Sequence, residues 1–268
     1  MNSKEDVRPL PDAGLHLSTH YDRSWREQLE QQNPNSAAIA RATPFPRDRY
    51  EACRKYFPAL FRAGRILELG AGPGFIAKTL LTLPLEIDKY TVTEFSDVSL
   101  EVLRKTFAVD QRVEVRQLDA ERLDEYELEQ YDAILLVALI EHFVDPLAVM
   151  RKVSKLLRPG GFVYIDTPNV ARYTKRLQLL FGRFPSTASR NEGLTTNAGK
   201  PVEMHEEGHL HYFTFRSLSL MLTQYCGFSS VKKLPYFGGR QVLPAPVGLA
   251  IARLWPEMFS ELALAAFV

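Results

Sequence analysis

Cysteine is scarce in this 268-residue sequence: Cys53 and Cys226 are the only two, and their spacing suits neither a disulfide framework nor a cysteine metal site. A reducing, cytoplasmic setting is therefore expected. Charge of one sign is also missing. With 33 Lys and Arg against 32 Asp and Glu, there is no electrostatic footprint for nucleic acid. No stretch reaches the roughly 18 uninterrupted apolar residues of a spanning helix. The opening M-N-S-K-E-D-V-R-P-L has no apolar run, so no signal peptide is expected. No internal repeat is present. These absences leave an ordinary globular chain, long enough for one large domain or a domain with a small appendage.

The most informative stretch is R-I-L-E-L-G-A-G-P-G-F-I, residues 65–76. Its first five residues alternate apolar and polar like a buried strand; Gly70-Ala71-Gly72-Pro73-Gly74 then turns the chain, and Phe75–Leu83 has helical spacing. A glycine turn that ends a strand and opens a helix lets the backbone pass close to a ligand and presents unpaired N–H groups. The spacing is G-x-G-x-G rather than the G-x-G-x-x-G of dinucleotide binders, which disfavours a nicotinamide-dependent oxidoreductase.

Strand and helix patterns alternate from there. Strands are predicted at Tyr90–Phe95, Val113–Leu118, Tyr131–Ile140 and, after Arg158-Pro159-Gly160-Gly161, at F-V-Y-I-D-T-P-N. Helices are predicted at Asp97–Phe107, with Asp97 as N-cap, and from Asp145-Pro146 onward. Phe215–Tyr225 gives a further helix, Ser229–Phe237 a sixth strand, Pro244–Trp255 a helix and Glu261–Val268 a last strand. Such alternation predicts a doubly wound sheet. Ahead of the turn, residues 1–15 read as a loose arm, while Tyr21–Gln32 and Asp48–Phe61 read as helices that either cap the site or pack on the sheet edge.

The E-x-G-x-G-x-G turn resembles motif I of the class I S-adenosylmethionine (SAM)-dependent methyltransferases. The block from Tyr131 to Asn169, an apolar strand, E-H, D-P, a helix, P-G-G and a strand, is similar to the same family, as is the H-L-x-x-F-T segment at His209–Thr214. The resemblance implies an α/β, Rossmann-like, seven-stranded sheet with an antiparallel last strand, an N-terminal helical cap over residues 1–64 and a lid insertion, 170–207, after strand five. It also implies SAM as cofactor. Glu68, Gly70, Ala71, Gly72 and Gly74 would then form the cofactor turn. Glu94 would accept both ribose hydroxyls, as two carboxylate oxygens facing a vicinal diol can. Asp119 and Ala120 would lie beside the adenine, and Val137 would complete the cofactor set.

His142, after the fourth strand, has two readings: general base at the transferred methyl, or an anchor of its loop. Glu141 reads as structural or cofactor-adjacent, and Phe143 as packing. His209 and Tyr21 are the candidates for substrate contact. The quinol O-methyltransferases of ubiquinone synthesis, a subgroup this chain resembles, carry an extra acid three positions before the glutamate of E-H, and here that position is Ala138. Two ligands hold a magnesium-type ion poorly, so no metal is expected. His205 and His211 read as solvated or capping residues. Arg172, Lys175, Arg176 and Arg183 read as a solvated helix face rather than an anion site. The apolar segment Leu243–Phe259 reads as core packing rather than membrane contact. The expected partner is a small-molecule methyl acceptor, most simply a hydroxyl on a sugar precursor, a quinol or another metabolite. The alternative is a SAM-binding regulatory partner without turnover.

Overall fold

The computed structural model describes residues 39–185, 209–238 and 243–268, with only the backbone of 196–197 and 200–201 between the first two stretches. In chain order the elements are α1 (Arg49–Tyr56), β1 (Ala63–Leu69), α2 (Phe75–Leu81), β2 (Glu86–Glu94), α3 (Asp97–Phe107), β3 (Val113–Gln117), β4 (Tyr131–Val137), α4 (Pro146–Leu156) and β5 (Leu157–Thr167). Then come α5 (Tyr173–Leu180), α6 (Phe215–Tyr225), β6 (Ser230–Lys233), α7 (Ala245–Leu254), α8 (Pro256–Phe259) and β7 (Leu262–Phe267). A two-residue antiparallel pair joins Thr196–Asn197 to Lys200–Pro201. The predicted arm, the Tyr21–Gln32 helix, Tyr21 itself, His205 and most of the predicted lid lie outside the described residues.

Seven strands form one sheet in the order β3-β2-β1-β4-β5-β7-β6. The first five run parallel, while β7 enters antiparallel between β5 and β6. This is the Rossmann-like, seven-stranded arrangement with an antiparallel last strand that the sequence led us to expect. The order reverses between β1 and β4, and the carboxyl ends on either side of that point are where open α/β sheets bind ligands.

Burial on both faces explains the unbroken apolar run of β4. Ile134 and Leu136 pack with Leu67, Ile165, Val149 and Leu218 beneath α4 and α6. Ala133 and Leu135 face the other way, onto Ile66, Tyr164, Phe57, Ile76 and Leu103 beneath α1, α2 and α3. Phe143, 3% exposed, packs in the first of these cores, as read from sequence. Ala52 and Cys53 of α1, and Phe57 directly after it, lie in the same core as β1 and β2.

Several boundaries differ from the sequence reading for local reasons. Ser96, not Asp97, caps α3, its hydroxyl accepting from the Ser99 N–H, and Asp97 becomes the first helical residue. The Arg158–Gly161 stretch belongs to β5, entered through a register shift opposite Tyr131–Ala133. The sixth strand is cut to four residues, since Pro235 has no N–H to continue the ladder; Tyr236 makes only an isolated bridge to Glu261. Asp145 caps α4 by accepting from Ala148 N at 2.9 Å, with Pro146 at the first helical position. Among the described residues no helix is long and apolar enough to cross a membrane.

Candidate active site

The glycine turn joins β1 to α2 at the reversal point. Gly70, Gly72 and Gly74 all have positive φ, at 64°, 53° and 82°. A Cβ on Gly70 would meet Leu139 Cδ1 at 2.7 Å, and one on Gly74 would meet Leu103 at 2.7 Å and Phe107 at 2.9 Å. Two of the glycines are thus required by protein packing, which draws the turn down onto the sheet end. Ala71 N donates to Thr93 O at 2.9 Å, locking the turn to β2.

Glu68 lies beneath this turn, 2% exposed, and accepts from the Tyr90 hydroxyl at 2.7 Å. Burial lifts its pKa to about 8, against the hydrogen bonds from Tyr90 and the Ala77 backbone. Its contacts brace the turn and the first turn of α2 from below. Glu94, at the end of β2, accepts from Gly72 N at 2.6 Å through one oxygen and from Phe95 N at 2.8 Å through the other. Its carboxylate is therefore fixed in place beside the turn. At the end of β3, Asp119 caps a short 3-10 helix, its Oδ1 accepting from Glu121 N at 2.9 Å; among the described residues Oδ2 makes no hydrogen bond. Asp119, Glu94 and the Gly70–Gly72 backbone thus stand in a row on neighbouring strands β3, β2 and β1.

Across the reversal point β4 ends at Val137. Ala138 follows in the left-handed region at φ 53°, alone among the described non-glycine residues, with its N–H on Asp166 O at 2.8 Å. Such strain gathers where a loop is held for function. It throws the chain into the one-turn segment Ile140–His142. Glu141, 1% exposed, accepts from the Thr167 hydroxyl at 2.8 Å. The Glu141 carbonyl takes the N–H groups of Leu210 and His211 at 2.9 and 3.1 Å, pinning the second histidine segment against the first. His209 Nε2 then lies 3.9 Å from Glu141 Oε1, and the rings of His142 and His209 meet edge to face with centroids 4.9 Å apart. Burial and the neighbouring positive groups push the His209 pKa down to about 4, so it is neutral near pH 7.

The carboxylate and imidazole donor atoms of Glu141, His142 and His209 all lie within 4.8 Å of one another. The sequence reading counted two candidate metal donors; the fold brings a third from a distant segment. Three donors give half of an octahedral set, leaving open positions for water or substrate.

The profile of the methyltransferase domain family matches residues 41–232. The chain belongs to this family. Ubiquinone biosynthesis O-methyltransferase of Aeromonas salmonicida is 33% identical over 107 residues, which are 39% of this chain and 43% of that one. The protein of the same name from Xanthomonas campestris pv. campestris is 31% identical over 123 residues, 45% of this chain and 48% of the relative. The methyltransferase chain thus spans about half the length of the curated relatives it matches. Among solved structures, a SAM-dependent methyltransferase of Thermotoga maritima described as a possible histamine N-methyltransferase superposes with TM-score 0.56 at 16% identity, covering 94% of this chain and 99% of that one. The N-terminal domain of EvdMO1, crystallised with SAH and D-fucose, gives 0.51 at 19% identity, over 91% and 97%. These likenesses establish the fold.

The cofactor of this methyltransferase family is SAM, and the row of groups fits it. A tight glycine-rich turn, a fixed carboxylate one strand away and a second carboxylate one strand further suit the polarity of a nucleoside bearing a sulfonium. Val137 and Ala120 are half-buried at the same sheet edge, as are Gly70 and Ala71. The structure brings His142 and His209 together and adds residues that the sequence reading passed over: Arg49, Thr167, Asp166 and Tyr236. For Asp166 a signal existed, an acid closing the otherwise apolar strand F-V-Y-I-D-T. Arg49 had none.

Proposed function

We propose that the protein transfers a methyl group from SAM to a hydroxyl of a small molecule, with His142 taking up the proton. The observation that carries this is the Glu141–His142–His209 cluster, set across the sheet reversal from the glycine turn. When bound, SAM supplies an electrophilic methyl on sulfur, and transfer is an in-line displacement. The protein's work is then positioning, which is worth roughly 7–11 kcal/mol in favourable cases, and removal of a hydroxyl proton, worth about 100- to 10,000-fold.

Each residue has a part in this scheme. Thr167 and the Leu210 and His211 amides hold Glu141 and thereby the loop that carries His142. His209, neutral because it is buried among positive groups, offers His142 a polar neighbour that adds no charge beside a sulfonium. His142 is half-buried at the same point and is proposed to meet the acceptor hydroxyl. His209 is proposed as a wall of the acceptor pocket, and residues 170–207 as its lid. Relatives named O-methyltransferases support oxygen as the acceptor atom. A quinol, a sugar precursor or another hydroxylated metabolite fits the same chemistry.

Binding and turnover test the reading separately. Calorimetry with SAH should show binding, and a panel of quinols, sugars and hydroxy acids with labelled SAM should yield at least one methylated product. Heat with SAH but no product from any acceptor class would favour a regulatory SAM-binding protein.

A further inference from the structure

Beside the histidine cluster, the carboxyl end of β5 opens on a polar cavity of about 210 Å³, bounded by the starts of α1 and α5 and by Tyr236. Its walls carry three cations, Arg49, Arg172 and Lys175, and two acids, Asp166 and Glu261. These charges are not equally spent. Arg172 is paired with Glu261 and also donates to Gly238 O at 2.5 Å. Asp166, 1% exposed, accepts from the Tyr236 hydroxyl at 2.9 Å, and burial lifts its pKa to about 7. Arg49 Nε comes only to 3.8 Å from Asp166 Oδ1, beyond hydrogen-bond reach. Among the described residues the Arg49 guanidinium makes no hydrogen bond, although its side chain is only 32% exposed.

The Arg49 guanidinium is thus held at the cavity wall by only a long ion pair to Asp166, with its N–H donors open to an incoming acceptor. Planar guanidinium donors match the oxygens of a carboxylate or phosphate. We propose that this cavity is an anion subsite of the acceptor pocket, in which Arg49, with the charge of Lys175, holds a carboxylate or phosphate group carried by the methyl acceptor. The methyl acceptor is accordingly an acidic small molecule. Arg172, the N-cap residue of α5, and Lys175 in its first turn line the cavity, whereas Arg176 is exposed. The basic segment is therefore divided between a site and a solvated face.

The subsite adjoins the reaction centre through Thr167, which lines the cavity. Asp166 is followed by Thr167, whose hydroxyl holds Glu141, and the charge of Arg49 is felt by both Glu141 and His209. This inference deepens the methyl-transfer reading and rests on it for the name of the acceptor, but its test needs no turnover.

The probes are phenyl phosphate, benzoate and neutral benzyl alcohol, titrated against the full chain with and without saturating SAH by saturation-transfer NMR. The proteins are the wild type, Arg49→Gln, Arg49→Lys and Lys175→Gln, each also titrated with SAH in a calorimeter. At least one anion should bind the wild type about tenfold or more tightly than benzyl alcohol, and Arg49→Gln should erase that preference. Arg49→Lys should keep part of it and Lys175→Gln should reduce it, so the result does not hang on one variant folding. Tighter binding of phenyl phosphate assigns a phosphate-bearing acceptor, and of benzoate a carboxylate. Equal binding of the alcohol and the anions, binding of none of the three, or a preference that survives both Arg49→Gln and Lys175→Gln would overturn the subsite. Failure of SAH to bind would count against the methyl-transfer reading and leave the anion result standing.

Discussion

His209 Nε2 stands 3.9 Å from Glu141 Oε1, although α4, β5, α5 and the stretch 186–208 separate the two residues along the chain. The contact exists because the Glu141 carbonyl accepts the amides of Leu210 and His211, so backbone hydrogen bonds set the distance between the side chains. Glu141 is thus a joint between two loops as well as a member of the cluster.

Replacing Glu141 by Ala should remove the acceptor for the Thr167 hydroxyl in a buried place. A loss of about 1–3 kcal/mol in unfolding free energy is expected by denaturant titration. Glu141→Gln, which keeps an oxygen for Thr167, should recover most of that stability. Equal stability of the wild type and the Ala variant would remove Glu141 from its structural role.

His142→Ala should lower turnover by about 100- to 10,000-fold while SAH affinity stays within a few-fold of the wild type. Loss confined to the rate would identify a proton acceptor, whereas unchanged turnover would leave His142 as a loop anchor. A chelator arm separates base from metal ligand. If His142 acts as the base, treatment with EDTA leaves the rate intact; a rate lost with EDTA and restored by a divalent ion would assign Glu141, His142 and His209 to a metal centre.

Glu94→Ala should weaken SAM and SAH binding by about 1.5–3 kcal/mol, the worth of hydrogen bonds to a charged group. The same change releases the Gly72 and Phe95 amides, so melting temperature should fall in the absence of cofactor as well. Calorimetry that finds unaltered affinity would remove Glu94 from the cofactor site.

Glu68 gives a pH signature. Its folded pKa, about 8, lies above the ordinary glutamate value because burial penalises the charge. Folding therefore favours the protonated form. The stability this group contributes is fully present below pH ~4.5 and is lost as pH climbs through about 8. Glu68→Gln, which keeps an acceptor for the Tyr90 hydroxyl, should flatten the fall in stability over that window, read as melting temperature against pH. An identical slope in both proteins would show that Glu68 is ionised in the native state at low cost.

Much of the sheet could be read along the chain because its strands and helices follow local rules. The glycines of the turn, the unbroken apolar run of β4 and the Asp145-Pro146 start of α4 each state their own conformation through backbone freedom, two-sided burial and capping. The row of Glu94 and Asp119 was legible for the same reason, since each acid closes a strand of a parallel sheet whose order follows from its crossovers. Strand ends were less legible. Bulges such as that entering β5, and the choice of Ser96 over Asp97 as a cap, turn on geometries that nearby residues satisfy almost equally.

The candidate reaction centre and the anion cavity needed the third dimension. No spacing along the chain joins His142 to His209, or Arg49 to Asp166, because the segments meet only after strands far apart in sequence align their carboxyl ends. Sequence alone determined the fold family, the glycine turn and the acids that close β2 and β3, through patterns that are local and repeat with each element. Tertiary structure alone decided that a third donor joins Glu141 and His142, and that Arg49 stands beside Asp166 without a hydrogen bond among the described residues. Burial and long-range pairing, which set the charge and the unspent hydrogen bonds of those groups, do not exist until the chain has closed on itself.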